Sequence, residues 1–84
     1  MNVNLLYFAR LREVFGLASE TLTLQDGANV DALIEMLRQR GEVWAENLAP
    51  HRAFRVAVNQ DVANGDTPLI DRAEVAIFPP VTGG

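Results

Sequence analysis

The feature that most constrains the fold is one long amphipathic helix, which lies between two groups of strand-like segments. Residues 30–40 carry apolar side chains at the i, i+3, i+4 and i+7 spacing, which predicts a helix with one buried stripe: Val30, Leu33, Ile34 and Leu37. Asn29 is a suitable N-cap, and Asp31 stands in the first turn, where the helix dipole favours an anion. Gly41 is expected at the C′ position, just after the helix.

The segments around this helix predict a sheet. Alternating polarity predicts strands at 2–8, 20–24, 54–59 and 73–78, with a short return strand from Val62 after a turn at Gln60 and Asp61. Shorter helices are expected at 10–15 and 42–48. The loop between the first two strands is too short for a parallel crossover, so they should form an antiparallel pair. One main helix on one face of a mixed sheet is an α+β arrangement, and this element order is that of the β-grasp (ubiquitin-like) fold.

Composition narrows the classes of function. The chain has 84 residues, which indicates one domain, and its net charge of −4 argues against nucleic acid as a partner. No apolar run approaches a membrane span, so we expect no membrane association and a cytoplasmic location. All seven cationic residues are arginine. The absence of lysine either reflects an arginine-favouring genome or protects an activated acyl group from capture by amines.

An internal catalytic site is not expected. The chain has no cysteine, Ser19 is its one serine and His51 its one histidine, so a nucleophile–base pair would need both in one place. We interpret Ser19 as a loop residue and His51 as a solvated loop residue. Metal ligands at helical spacing and a Gly-rich phosphate loop are both missing from the sequence, so no bound cofactor is expected.

The C-terminal sequence offers the remaining place for chemistry. An apolar strand runs into Pro79 and Pro80, which cannot continue a central strand. We therefore predict a domain at 1–78 and an extended tail at 79–84, although terminal residues are also where chains commonly fray. Gly83 and Gly84 have no Cβ, so they can enter a narrow passage, where an ATP-dependent enzyme could convert the Gly84 carboxylate to an acyl adenylate.

A second candidate site is the sheet face that carries no helix. Alternation brings five apolar residues to that face, with Arg55 and Glu74 beside them: Leu6, Phe8, Ala57, Ala76 and Phe78. Exposed apolar patches usually mark partner surfaces. The alternative is that residues 42–48 or the loop before Pro68 cover some of these side chains.

Three segments of the chain resemble the small-subunit, sulfur-carrier family of molybdopterin synthase, which has the β-grasp fold. They are Leu-Tyr-Phe-Ala-Arg-Leu-Arg-Glu at 6–13, Ala-Val-Asn-Gln at 57–60 and Phe-Pro-Pro-Val-Thr-Gly-Gly at 78–84. The chain departs from that family at 71–74, Asp-Arg-Ala-Glu, where a glycine-containing turn is common.

The resemblance implies a function. Gly84 would be adenylated by an activating enzyme that uses ATP, and a sulfurtransferase step would then give a thiocarboxylate. The tail, which comprises Pro79, Pro80, Val81, Thr82, Gly83 and Gly84, would insert into the large synthase subunit and donate sulfur to a pterin precursor of the molybdenum cofactor. Two small and two large subunits would form a heterotetramer, and Phe8, Arg12 and Phe78 would contact the partner. The chain would then be a non-catalytic, sulfur-carrying subunit of a transferase.

Three other functions stay open from the sequence. The chain could carry sulfur for another pathway, such as thiamin thiazole synthesis, since the tail chemistry is the same. It could be a ubiquitin-like protein modifier, or an adaptor that binds through the sheet face alone.

Overall fold

The computed structural model describes residues 1–80. Its elements, in chain order, are β1 (Asn2–Tyr7), α1 (Ala9–Phe15), β2 (Ser19–Thr23), α2 (Val30–Arg38), α3 (Glu42–Asn47), β3 (Arg55–Val58), β4 (Asp61–Ala63) and β5 (Glu74–Phe78). Each predicted strand and helix is present, with boundaries that differ from the predictions by one or two residues at most ends.

The strands form one five-stranded mixed sheet in the order β2-β1-β5-β3-β4. β1 and β2 pair antiparallel, as predicted, and β1 pairs parallel with β5 at the centre. β5 pairs antiparallel with β3, which pairs antiparallel with β4. The N-terminal and C-terminal strands are therefore neighbours, and the predicted α+β β-grasp architecture is confirmed.

The core lies between the helices and one face of the sheet. Alternate residues of the central strands point inward and are fully buried: Val3, Leu5, Tyr7, Val75 and Ile77. Leu33 and Leu37 of the α2 stripe are also fully buried against them. α3 lies on the same side, because the Trp44 ring packs edge-on against Tyr7 with centroids 5.6 Å apart.

The long helix begins as predicted and ends earlier. The Asn29 side chain accepts a hydrogen bond from the Ala32 N–H at 2.9 Å, so it is the N-cap. The helix ends at Arg38, and i→i−3 bonds from Arg40 and Gly41 tighten the last turn. The prediction of Gly41 as the C′ residue is wrong. Its φ of 79° and ψ of −175° instead make it the N-cap of α3.

The β3–β4 turn lies one residue before its predicted position. Asn59 and Gln60 both have positive φ, 50° and 74°, and β4 starts at Asp61. Two left-handed residues suit the twist of a tight hairpin, and asparagine tolerates that conformation well. The Asn59 side chain also accepts a bond from the Glu74 N–H at 2.9 Å, and its own N–H donates to the Glu74 carbonyl at 2.8 Å. These contacts with β5 fix where the turn occurs.

Candidate functional site: the open sheet face and the start of the tail

The sheet face opposite the helices carries a continuous apolar row across four strands. Leu6 pairs with Ala76, Ala76 with Ala57, and Ala57 with Val62. The neighbouring row contains Phe78, which pairs with Arg55. The register therefore places these outward-facing residues side by side, and we call Leu6, Phe8, Ala57, Val62, Ala76 and Phe78 the apolar face.

Most of the predicted patch is accessible. Phe8 is 46% exposed, and Leu6, Ala76 and Phe78 are half-buried. Ala57 differs from the prediction because it is only 8% exposed. Its strand is interior to the sheet, so Ala76 and Val62 flank its short side chain from both neighbours. Ala57 thus contributes to the floor of the face and little to its contact area.

The alternative in which other segments cover this face is wrong. α3 packs against the inward side, through Trp44 on Tyr7. The loop before Pro68 lies against the start of α2, where the Thr67 carbonyl accepts a bond from the Val30 N–H at 3.0 Å. Both segments are on the helix side of the sheet, so neither covers the apolar face within residues 1–80.

Val62 is the most exposed apolar residue of this face, at 76%, and the sequence analysis did not assign it there. The misplaced turn is the cause, because a shift of one residue reverses which side chains of a strand face outward. A correct reading of Asn59-Gln60 as the turn would have paired Val62 with Ala57 and revealed its place.

Phe8 stands at the junction of β1 and α1. Its extended backbone makes it the N-cap of α1, and its N–H donates to the Ile77 carbonyl at 3.2 Å. α1 is held to the core by Leu11 and Phe15, which are both buried, and it ends at Gly16 with a left-handed φ of 70°. Arg12 lies on the exposed part of this helix, one turn after Phe8. Its predicted contact with a partner stays a prediction.

The tail begins at the edge of this face. β5 ends at Phe78, as the two prolines predict, and Pro79 and Pro80 are half-buried. Val81, Thr82, Gly83 and Gly84 lie outside the described residues, so their predicted roles stay predictions. Phe8, Phe78 and the start of the tail are thus brought together at one end of the sheet.

A partly buried polar cluster lies beneath this end of the sheet, on the helix side. The Tyr7 hydroxyl donates to Glu20 Oε2 at 2.7 Å, and Arg40 donates to both carboxylate oxygens of Glu20 at 2.8 and 2.9 Å. The Arg40 guanidinium lies 4.4 Å from the Trp44 ring centroid, and Trp44 stacks on Phe15 at 3.9 Å. These contacts tie β1 and β2 to the helices that support the site.

The electrostatics of the cluster favour the charged pair and a neutral tyrosine. The hydrogen bond from Arg40 holds the pKa of Glu20 below its ordinary value, although burial opposes this. Burial is the main reason that the pKa of Tyr7 is raised, and the bond to Glu20 adds to the effect. The hydrogen bond to Glu20 likewise raises the pKa of Arg40. We interpret the cluster as a structural support, since Tyr7 and Arg40 both donate to the Glu20 carboxylate and so join two strands to the helices.

Other kinds of site were sought in residues 1–80. No group of three or more His, Cys, Asp or Glu side chains in this range could hold a metal ion. Ser19 lies in β2 and His51 in the turn after Pro50, and no hydrogen bond between them occurs within the described part of the chain. None of the helices described is long and apolar enough to cross a bilayer.

Comparison with known proteins identifies the family. The model of the ThiS family matches residues 5–84. The chain belongs to the ThiS family. The chain is similar to the molybdopterin synthase sulfur carrier subunit of Escherichia coli, with 39% identity over 82 residues. That match covers 98% of this chain and 99% of the E. coli protein, so it includes nearly the whole of both.

Solved structures of similar fold support the same assignment. A putative molybdopterin converting factor subunit 1 from Pyrococcus furiosus has a TM-score of 0.82 at 30% identity, with 96% of this chain and 99% of that one covered. SAMP1 from Haloferax volcanii, a small archaeal modifier protein, has a TM-score of 0.74 at 25% identity, with both chains fully covered. One chain from the complex of subunits 1 and 2 of molybdopterin-converting factor from Helicobacter pylori shares the fold at 21% identity. Its TM-score is 0.70, with full coverage of both chains.

Proposed function

We propose that this ThiS-family chain is the sulfur carrier subunit of a molybdopterin synthase. The observation that carries the proposal is the match to the E. coli sulfur carrier subunit along nearly the full length of both proteins. The fold adds support, because the strand that leads into residues 79–84 ends beside an open apolar face. A carrier needs both features, one for delivery and one for docking.

The chemistry is assigned to the carboxylate of Gly84. One carboxylate oxygen attacks the α-phosphate of ATP, pyrophosphate leaves, and a C-terminal acyl adenylate forms. This mixed anhydride has AMP as a good leaving group. A persulfide of a sulfurtransferase displaces AMP to give an acyl disulfide, and a thiol reductant then cleaves its S–S bond and leaves the thiocarboxylate. The catalysis belongs to the activating enzyme, and this chain supplies the acyl group and its presentation.

Delivery follows from the position of the tail. Residues 80–84 reach roughly 17 Å if they are extended, at about 3.3–3.6 Å per residue. A large subunit docked on the apolar face would therefore receive the thiocarboxylate in a pocket well inside its own surface. There the sulfur would attack a pterin precursor, and water would then cleave the bond between that sulfur and the Gly84 carbonyl carbon. The sulfur would stay on the pterin, and the carrier would leave with its carboxylate restored. Two large and two small subunits would complete the synthase.

A protein modifier is the second candidate function, and the likeness to the archaeal modifier SAMP1 favours it. A modifier would form an isopeptide bond between Gly84 and lysines of target proteins. A sulfur carrier for thiazole synthesis would share the adenylate and the thiocarboxylate, and would differ in its partner.

Affinity purification of the tagged chain from cells grown with molybdate separates these functions. The proposal predicts that a molybdopterin synthase large subunit co-purifies at near-equal amounts, and that purified carrier thiocarboxylate plus this subunit converts the pterin precursor to molybdopterin. Recovery of a thiazole synthase in its place, or of a ladder of covalent conjugates on a denaturing gel, would contradict it. A chain that lacks Gly83 and Gly84 is the control, since it should still bind the partner and transfer no sulfur.

A further inference from the structure

Beside the start of the tail lies a cavity of about 340 Å³ with two arginines in its wall. Arg10 of α1 and Arg52, which follows α3, line it together with Asn47 and Pro79. Both arginines therefore stand next to the residue from which the tail departs. Nothing in the proposed sulfur chemistry uses this cavity.

One buried amide oxygen orients both guanidinium groups. Asn47 is 7% exposed, and its Nδ2 donates to the Val43 carbonyl at 2.8 Å, which aims Oδ1 towards the cavity. That oxygen accepts bonds from Arg10 Nη1 and Nη2 at 3.0 and 2.9 Å, and from Arg52 Nη2 at 3.3 Å. The donor nitrogens of two cations are thus held within roughly 6 Å of each other, since both bond the same atom.

The neutral amide balances neither positive charge, and no ion pair of Arg10 or Arg52 occurs within residues 1–80. Within residues 1–80 the ion pairs use other cations, namely the amine of Met1, Arg38, Arg40 and Arg72. Each guanidinium has five N–H donors, of which Asn47 occupies two on Arg10 and one on Arg52. The remaining donors are available to an oxyanion, and two converging guanidiniums suit a carboxylate with its two acceptor oxygens. This is a concentrated positive site on a chain whose net charge is −4.

We propose that Arg10 and Arg52, oriented by Asn47, form a binding site for one carboxylate side chain of the partner protein that docks on the apolar face. The proposal rests on the proposed function for the identity of that partner, the molybdopterin synthase large subunit. The place of the cavity argues for a protein carboxylate, because it lies on the helix side of the sheet end that carries both aromatics: Arg10 is two residues from Phe8, and Pro79 follows Phe78 directly. A partner seated on both aromatics and extending around this end of the sheet would place an acidic side chain in the cavity, at the base of the tail.

The test measures affinity for a molybdopterin synthase large subunit by calorimetry at low and high sodium chloride. The variants are Arg52→Gln and the double variant Arg10→Gln with Arg52→Gln. The matched control is Arg72→Gln, which removes one exposed arginine at the opposite end of the sheet. We expect the double variant to bind about tenfold to a hundredfold more weakly at low salt, with a smaller salt dependence, and Arg72→Gln to bind as the wild type does. Arg52→Gln keeps the Arg10–Asn47 bonds, so it should fold normally and lose an intermediate amount of affinity.

A titration of the isolated chain separates failure of this site from failure of the proposed function. Sodium acetate is added against sodium chloride at matched ionic strength, and the arginine Nε–Hε signals are followed by NMR. Acetate-specific shifts at Arg10 and Arg52, with none at Arg72, are expected. If the wild type binds the large subunit and the double variant binds equally well, the site is wrong and the function stands. If the wild type binds no large subunit, the proposed function is wrong. If acetate-specific shifts are also missing, the carboxylate-binding site is wrong as well. Saturation by inorganic phosphate at concentrations where acetate has no effect would also overturn the carboxylate assignment.

Discussion

The backbone N–H of Phe8 donates a hydrogen bond to the carbonyl of Ile77 at 3.2 Å, across the parallel pair β1 and β5. This bond extends the pairing of β1 by one residue, to the point where β5 delivers the chain to Phe78. The most exposed aromatic of the apolar face is therefore bonded directly to the strand that precedes the tail. A partner that binds Phe8 would therefore be held close to the position where the tail begins.

The first prediction concerns the exposed ring of Phe8. Replacement by alanine in Phe8→Ala should weaken binding of the large subunit by more than tenfold, because aromatic residues at interface centres commonly contribute about 2 kcal/mol or more. The change should lower the free energy of unfolding by less than about 1 kcal/mol, since the ring is 46% exposed. Calorimetric titration and urea unfolding measure the two effects. Ile70→Ala is the control, because Ile70 is 63% exposed and lies in the loop that leads to the other end of β5.

The second prediction concerns Val62, which the structure adds to the apolar face. Val62→Glu places a charge on a 76% exposed position, so the domain should stay folded while docking is impaired. A carboxylate buried against an apolar partner without a counter-ion is strongly unfavourable, and we expect at least a tenfold loss of affinity. The same substitution at Ile70 should leave the affinity unchanged. Equal losses at both positions would show that added negative charge alone impairs binding, and would remove Val62 from the interface.

The third prediction concerns pH and the Glu20–Arg40 pair. The pKa of Glu20 is lower in the folded chain than in the unfolded one, so its contribution to stability is present above the unfolded pKa of about 4.3 and is lost as the pH falls through the folded value. Glu20→Gln should therefore reduce the free energy of unfolding by about 1–3 kcal/mol near neutral pH, because a charged hydrogen-bonding partner is lost. The difference between wild type and variant should shrink in strongly acidic solution. Urea unfolding across this range measures it, and a difference that does not change with pH would contradict the assignment.

The fourth prediction concerns Arg72, where the sequence departs from the glycine-containing turn of the family it resembles. Arg72 has a φ of 67°, in the left-handed region, which costs a residue with a Cβ roughly 1–2 kcal/mol. Arg72→Gly relieves this cost and adds some flexibility to the unfolded chain, so we expect a net gain in stability of up to about 1 kcal/mol. Arg72→Ala is the matched control, because it removes the same charge and keeps the Cβ. It should give no gain, and a gain of equal size would mean that charge and not backbone conformation is responsible.

Periodicity in the sequence was sufficient to predict the architecture. The α2 stripe and the alternation of β1 and β5 fix which side chains are buried, and the two prolines fix the end of β5 at Phe78. The open face followed from the same alternation. The predicted set of residues on this face lacked Val62, because the position of the turn at Asn59 and Gln60 depends on hydrogen bonds to Glu74. A local sequence pattern does not contain those bonds.

The two polar clusters could not be predicted from local sequence patterns. Arg40 and Glu20 are 20 residues apart, and Arg10 and Asn47 are 37 apart, so only the packing of helices on the sheet brings them together. Arg10 and Asn47 also carry no motif that would mark them as a pair. Such contacts depend on tertiary structure, whereas the chemistry assigned to Gly84 depends on a sequence motif.

The most direct measurement for the central claim is the intact mass of the chain after incubation with its activating enzyme, ATP and a sulfur donor. The claim that Gly84 carries sulfur predicts a gain equal to the mass difference between a sulfur and an oxygen atom, reversed when the large subunit and pterin precursor are added. The chain without Gly84 should keep its mass in both steps. An unchanged mass of the full chain, with an activating enzyme shown to adenylate another carrier, would contradict the account.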